Sequence, residues 1–209
     1  MDSQLATQDL KEVKKALDST GVRWFLSYGA LLGIVRQKDF IPYDDDIDIT
    51  IVDPLTLRQR KEIGWILQDL GFETQDGMMF NIMGRFEHTD FGLLGDKKVC
   101  TYSGDKDTGI IVAQKRVNWS IFFFKEEDEE NYVCIPKIGS LPVLSTPKKF
   151  YEKGEIIKFK GEKFLAPSPV KEYLKEVYGE NWKKPIKDYH APQYAQQHGE
   201  EETVKKYFS

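Results

Sequence analysis

Residues 27–52, SYGALLGIVRQKDFIPYDDDIDITIV, pass from a helical pattern to a strand pattern across an acidic junction. ALLGIVR is built of helix formers and follows Gly29, and Pro42 ends that run because its ring can neither continue a helix nor donate a hydrogen bond. IDITIV (47–52) then alternates with the two-residue period of a strand. Upstream, VRWFLS (22–27) is β-branched and aromatic, the composition of a short buried strand. The order is strand, glycine turn, helix, acidic turn, strand.

The same periodicities extend outward. Leu5, Leu10, Val13 and Leu17 recur at helical spacing, which predicts an amphipathic helix over 5–18 that stops near Gly21. Asp53-Pro54 closes the second strand. LTLRQRKEIGWILQDLGF (55–72) predicts a helix buried through Leu57, Ile63, Ile66, Leu67 and Leu70, with Gly71 as its stop. From 73 to about 140 the chain reads as strands, MFNIMGRF, DFGLL, KKVCTY, TGIIVA, VNWSIFFF and NYVCI, with EEDEE (126–130) as a solvated hairpin loop. KFKGEKFLAPSP (158–169) leads into a helix over 170–179 that ends at Gly179, and a polar tail follows. No repeat or flexible linker divides the chain. The expectation is one α+β domain, a mixed β-sheet flanked by helices, with its core at about 5–145 and a C-terminal helical extension over about 146–209.

Composition narrows the function classes. Of 209 residues, 40% are hydrophobic and 31% charged, which suits a folded soluble chain and excludes disorder as the whole account. Thirty Lys and Arg against thirty-four Asp and Glu leave a net charge of −4, so no global positive field draws the chain to nucleic acid or anionic lipid. Asp44, Asp45, Asp46 and Asp48 equal that excess. The lysines at 148, 149, 153, 158, 160 and 163 alternate with Glu152, Glu155 and Glu162, the pattern of a solvated face. Cys100 and Cys134 are too few for a disulfide framework and read as buried thiols. There is no basic start with an apolar stretch, and no run approaches the ~20 apolar residues of a membrane span. A cytoplasmic chain is expected; a lumenal piece of a Golgi protein would have the same composition.

The chemistry concentrates at the acidic junction. Four carboxylates in five positions repel one another unless a cation or basic partner compensates. On a strand, Asp46 and Asp48 share a face while Ile47, Ile49 and Ile51 take the other, an arrangement suited to holding Mg²⁺ or Mn²⁺ with room left for substrate phosphates. Asp44 and Asp45 need not be ligands. The turn at Tyr28, Gly29 and Ala30 starts a helix whose free N–H groups suit an anion, and Arg36 and Lys38 could neutralise a phosphate nearby. Tyr28, Trp24, Tyr43 and Trp119 are aromatic candidates for stacking on a base or enclosing a quaternary ammonium, although Trp24 and Trp119 read more simply as core. His88, His190 and His198 share no metal-ligand spacing with each other or with the cysteines, so a zinc site is not expected.

SYGALLGIVRQKDFIPYDDDIDI (27–49) resembles the signature of the LicD family, whose relatives include bacterial phosphocholine transferases and the fukutin and fukutin-related glycan phosphotransferases. KFKGEKFLAPSPVKEYLKEVYGENWKKP (158–185) is a weaker match to the closing segment of that family. The resemblance implies a nucleotidyltransferase-like fold in which the turn at Gly29 cradles phosphates and Asp46 and Asp48 hold the metal and carry catalysis. It also implies a CDP-linked small-alcohol donor, carrying phosphocholine or a ribitol- or glycerol-phosphate type group, and a sugar hydroxyl of a glycan or glycolipid as acceptor. The family commonly places a further aspartate on a later strand in the context Val/Ile-Asp-Ile-Phe. Here NWSIFFF puts Ser120 at that position, and a serine hydroxyl is a poor metal ligand and a poor base. Either another acid completes the set, with Asp90, Asp105 and Asp107 the nearest candidates, or the chemistry is altered. Two other functions remain open at this point: a nucleotidyltransferase that takes an NTP, and a catalytically impaired binding domain for nucleotide or glycan.

Overall fold

The side chain of Asp2 starts the first helix by accepting from the N–H groups of Gln4 and Leu5 in the computed structural model, which describes residues 1–76, 110–134 and 144–185. That helix, α1 (Ser3–Thr20), buries Ala6, Leu10, Val13 and Leu17 and ends at Gly21 in the left-handed conformation. Leu5, expected on the buried stripe, is 38% exposed, and Asp9 lies inside instead. The chain continues through β1 (Trp24–Leu26), α2 (Tyr28–Gln37), β2 (Asp46–Ile51), α3 (Leu57–Asp69) and β3 (Glu73–Asp76). Thr56 and Gln59 close a capping box at the start of α3. Next come β4 (Ile110–Gln114), β5 (Asn118–Phe123), β6 (Lys125–Glu126), β7 (Asn131–Cys134) and β8 (Leu144–Pro147). The hairpin β9 (Glu155–Phe159) and β10 (Glu162–Ala166) precedes α4 (Val170–Tyr178), which stops at Gly179 as expected. The expected strands MFNIMGRF, DFGLL and KKVCTY lie outside the described residues, as do Cys100, the three histidines and the tail after 185.

The main sheet is mixed and five-stranded, in the order β1-β2-β5-β4-β3. β1 runs antiparallel to β2, β2 parallel to β5, and β4 antiparallel to both β5 and β3. Both faces are covered. Ile47, Ile49, Ile51, Trp119 and Ile121 face α1 and α3 in one core cluster, and each fully buried isoleucine contributes ~2 kcal/mol. Phe25, Leu31, Phe122, Tyr151, Tyr173 and Leu174 form the second cluster between the sheet, α2 and α4. Trp24 and Trp119 are buried in the first, which fits the core reading. EEDEE is a hairpin loop between β6 and β7, closed by Asp128 accepting from the N–H groups of Glu130 and Asn131. Lys149, Lys153, Lys158, Lys160 and Lys163 are exposed, a solvated face rather than a groove. Cys134 is a buried thiol that forms no disulfide among the described residues. Among the described residues no helix is long and apolar enough to cross a membrane.

Candidate functional site

Strand alternation sets the face on which the acids stand. With Ile47, Ile49 and Ile51 turned into the first cluster, Asp46, Asp48 and Thr50 point to the α2 side of the sheet. Thr50 is buried and donates to Ser27 Oγ at 2.9 Å, which ties β2 to the residue preceding α2. A backbone bond from Ser27 N–H to the Asp48 carbonyl repeats the tie at 3.2 Å. The first turn of α2 is thereby pressed against the acidic end of β2.

Gly29 is where the two meet. Its N–H donates to Asp48 Oδ2 at 3.0 Å, so the helix N-terminus is turned toward a carboxylate. A Cβ at Gly29 would come closer than 3.0 Å to Asp44 Oδ2 and within 3.2 Å of Asp48 Oδ2, an approach that only glycine permits here. Tyr28 adopts φ 42°, a conformation costly for an aromatic residue, and its ring lies edge-on to Phe122 at 5.2 Å and tilted to Tyr173 at 6.4 Å. Gly33 lets the following loop lie against the helix, since a Cβ there would sit 2.7 Å from the Asp39 carbonyl oxygen. Lys38 ends α2 at φ 62°, and the turn after it is closed by Asp44 N–H on the Ile41 carbonyl at 3.1 Å. That turn carries Asp44 and Asp45 back over Asp46.

The result is a carboxylate centre larger than the strand argument alone anticipates. Ligand oxygens of Asp44, Asp45 and Asp46 lie within 4.8 Å of one another, and Asp48 stands beside them, 8% exposed. Two carboxylates at that separation repel by roughly 3 kcal/mol at an effective dielectric of about 20. Their proton affinities show the strain. Burial, then the charges of Asp46 and Asp45, push Asp44 up to about 7. Burial pushes Asp46 up to about 6 despite the hydroxyl of Ser120. Asp48 is driven well above the ordinary carboxylate range by burial and by Asp46 and Asp44, against the opposing Gly29 N–H. The donors are all hard oxygens, and a divalent cation of the Mg²⁺ or Mn²⁺ type is what such a set fits.

β5 borders the centre. Asn118 pairs in register with Asp46 and Ser120 with Asp48. Ser120 Oγ donates to Asp46 Oδ2 at 2.6 Å, so the residue at the position of the expected third acid orients a carboxylate. Asp90, Asp105 and Asp107 lie outside the described residues. Of the basic candidates, Lys38 is exposed, and Arg36 has its Nε and one Nη buried with no hydrogen-bond partner among the described residues. Tyr43 is 51% exposed beside Asp44, on the open side of the turn.

Sequence reasoning missed two groups. Asp44 and Asp45 precede the strand, so side-chain alternation says nothing of them; only the turn geometry brings them in. Asp9, on α1, is 0% exposed and accepts from the N–H groups of Arg116 and Val117 at 3.0 and 3.2 Å and from the Arg116 guanidinium. It anchors the start of β5, and a lone acid on a helical stripe gave no signal of that.

Over 187 residues the chain is 27% identical to ribitol-5-phosphate transferase FKTN of Macaca fascicularis and of Homo sapiens, covering 87% of this chain and 34% of each relative. The chain thus spans about a third of the length of those proteins. An uncharacterized protein of Rickettsia prowazekii, RP689, is 37% identical over 54 residues, a quarter of this chain. Among solved structures, the antibiotic-resistance factor ANT(2'')-Ia aligns at a TM-score of 0.45 and 16% identity, over 99% of this chain and 90% of that one. The family model for the LicD/FKTN/FKRP nucleotidyltransferase domain matches residues 21–169, from the strand before α2 to the residue before α4, and the chain belongs to that family.

Proposed function

We propose that this chain is a divalent-cation-dependent phosphotransferase that moves a phospho-alcohol, of the phosphocholine or ribitol- or glycerol-phosphate type, from a CDP-linked donor to a sugar hydroxyl of a glycan or glycolipid. The observation that carries the reading is the convergence of Asp44, Asp45 and Asp46 beside Asp48 and against Gly29, with no lysine or arginine ion pair to them among the described residues and only the N-terminal ammonium acting on Asp44. Asp44, Asp45 and Asp46 would hold the cation, with Asp48 completing the negative field. Bound there, Mg²⁺ or Mn²⁺ supplies charge neutralisation for the donor diphosphate and for CMP as it leaves.

The remaining chemistry belongs to the chain. Because the Gly29 N–H is engaged by Asp48, contact with the donor phosphates would fall to the neighbouring backbone at Tyr28 and Ala30 and to Arg36, whose Nε and one Nη are buried with no hydrogen-bond partner among the described residues. Lys38, at the exit of α2, adds a solvated positive charge. The acceptor oxygen attacks the phosphorus that bears the alcohol, the bond from that phosphorus to the CMP oxygen breaks, and the hydroxyl proton passes to a carboxylate of the cluster that remains clear of the cation. Tyr43, 51% exposed and next to Asp44 in the chain, would stack on the cytosine.

The test is product analysis. Purified protein with Mg²⁺ or Mn²⁺, a glycan acceptor and CDP-choline, CDP-ribitol or CDP-glycerol should release CMP, and Asp46→Asn with Asp48→Asn should abolish it. Pyrophosphate released from CTP or ATP in place of CMP would assign the site to nucleotidyl transfer. Release of neither product, with nucleotide still bound, would make the chain a binding domain.

A further inference from the structure

Among the described residues, two buried polar side-chain atoms without a hydrogen bond lie on the strand that borders the carboxylate centre, Trp119 Nε1, whose ring is turned into the first core cluster, and Asn118 Oδ1. Asn118 Oδ1 is buried and unpaired among the described residues. Trp119 and Ile121 of the same strand, and Val117 just before it, are turned into the first core cluster, so Asn118 and Ser120 share the opposite face, the one that carries Asp46 and Asp48 on β2. Asn118 is the in-register neighbour of Asp46. On its other side the in-register neighbour is Gln114 of β4, yet Asn118 Oδ1 accepts no hydrogen bond from it or from any other described residue, and the carboxylates beside it are acceptors that have none to give. Leaving it buried and unsatisfied is unfavourable, which is why such atoms are rare in folded proteins. The Ser120 hydroxyl proton on the same face is directed to Asp46.

We propose that Asn118 supplies, through its side-chain carbonyl oxygen, the β5 contribution to the divalent-cation site, so that the centre is completed by a neutral oxygen rather than by a further acid. The inference rests on the reading of Asp44, Asp45 and Asp46 as the cation-holding cluster. Its physical logic is charge economy: four carboxylates already exceed what one dication neutralises, and an amide carbonyl adds an oxygen dipole without a fifth negative charge. It also accounts for the orphaned atom, since the cation is the partner that the described residues do not supply.

The experiment is Mn²⁺ titration of the full chain, with free Mn²⁺ counted by electron paramagnetic resonance and no donor or acceptor present. Four proteins are compared: wild type, Asp46→Asn, Asn118→Leu and Asn118→Asp. Asn118→Leu should weaken Mn²⁺ binding by about tenfold or more. Asn118→Asp, which keeps an oxygen and loses the amide N–H groups, should bind at least as tightly as wild type. An Asn118→Leu variant with wild-type affinity, alongside a disabled Asp46→Asn, would leave the cluster standing and overturn the role of Asn118. Wild-type affinity in Asp46→Asn would sink the cluster itself. Should Asn118→Leu fail to fold, Asn118→Asp decides: weaker binding than wild type means that the amide N–H groups mattered, and the proposal fails.

Discussion

Replacing Gly29 by alanine isolates the close approach between α2 and the acidic turn. No left-handed backbone strain is involved, since Gly29 does not have a positive φ. The effect is therefore steric. The new methyl meets Asp44 Oδ2 well inside 3.0 Å, and that oxygen must retreat by about 1 Å to reach ordinary contact at 3.4 Å. A carboxylate can do so by rotating, so the cost to folding is small, and helix propensity returns ~1 kcal/mol in favour of alanine. Stability of the metal-free protein should stay within about 1 kcal/mol of wild type, or roughly 3 °C in Tm for a chain of this size. Function should not survive so well. A displacement of 1 Å at a reacting centre costs about 100-fold in rate, and a disturbed ligand costs about 10- to 100-fold in metal affinity. Thermal melts with and without Mn²⁺, paired with CMP release, separate the two effects. Wild-type Mn²⁺ affinity and turnover in Gly29→Ala would refute the claim that the glycine exists to admit Asp44.

Two further outcomes are expected. Asp44 and Asp46 titrate at about 7 and 6 in the folded protein against an ordinary 3.8, so the native state holds protons that the unfolded chain has released. Their contribution to stability is full below about pH 4 and is lost as pH rises through 6–7. The Tm of metal-free protein should accordingly fall between pH 5 and 8, and Mg²⁺ should restore more of it at pH 8 than at pH 5; a flat metal-free profile would show that the cluster is not strained. Asp9→Ala leaves the Arg116 and Val117 N–H groups and a guanidinium without their acceptor and should cost about 3 kcal/mol. That is a fall of roughly 6–12 °C in a thermal melt, and a loss under ~2 °C would mean that Asp9 is not the anchor of β5.

How far the sequence reached depends on how local the determining physics is. Periodicity and helix-forming composition located α1, α2, α3 and α4, and the glycines at 21, 71 and 179 marked the ends of α1, α3 and α4. The Asp46 and Asp48 face was legible for the same reason, since a period of two is a property of the strand itself. Leu5 went wrong because one turn of helix can trade Leu5 for Ala6 without changing the pattern, and only the sheet packed against α1 decides between them. Asp44 and Asp45 were underrated because their placement depends on the Gly33 approach and the Ile41–Asp44 turn, contacts between segments that no spacing rule encodes. Asn118 and Asp9 are long-range in the same sense. Asn118 meets Asp46 across 72 positions of chain through the parallel pairing of β2 with β5, and Asp9 reaches Val117 across 108.

The compensation that the fold provides inside the centre is incomplete, and the deficit has a direction. Asp48 receives the Gly29 N–H, Asp46 the Ser120 hydroxyl, and Asp44 a backbone hydrogen bond at Asp45 together with the charge of the N-terminal ammonium, each of which favours the charged form. In all three, burial and mutual repulsion still win. Had the cluster evolved for stability alone, an arginine or lysine would be the ordinary solution, and this chain uses it elsewhere: Arg116 and Lys115 neutralise Asp9 and Glu12, and Lys160 meets Asp39. Among the described residues no such ion pair reaches Asp44, Asp45, Asp46 or Asp48. Donors without charge fix the carboxylates in place while leaving their negative potential available, and a site preorganised in this way spends its repulsion on whatever cation arrives. The net charge of −4, which equals these four residues, is thus the global trace of a local vacancy for positive charge.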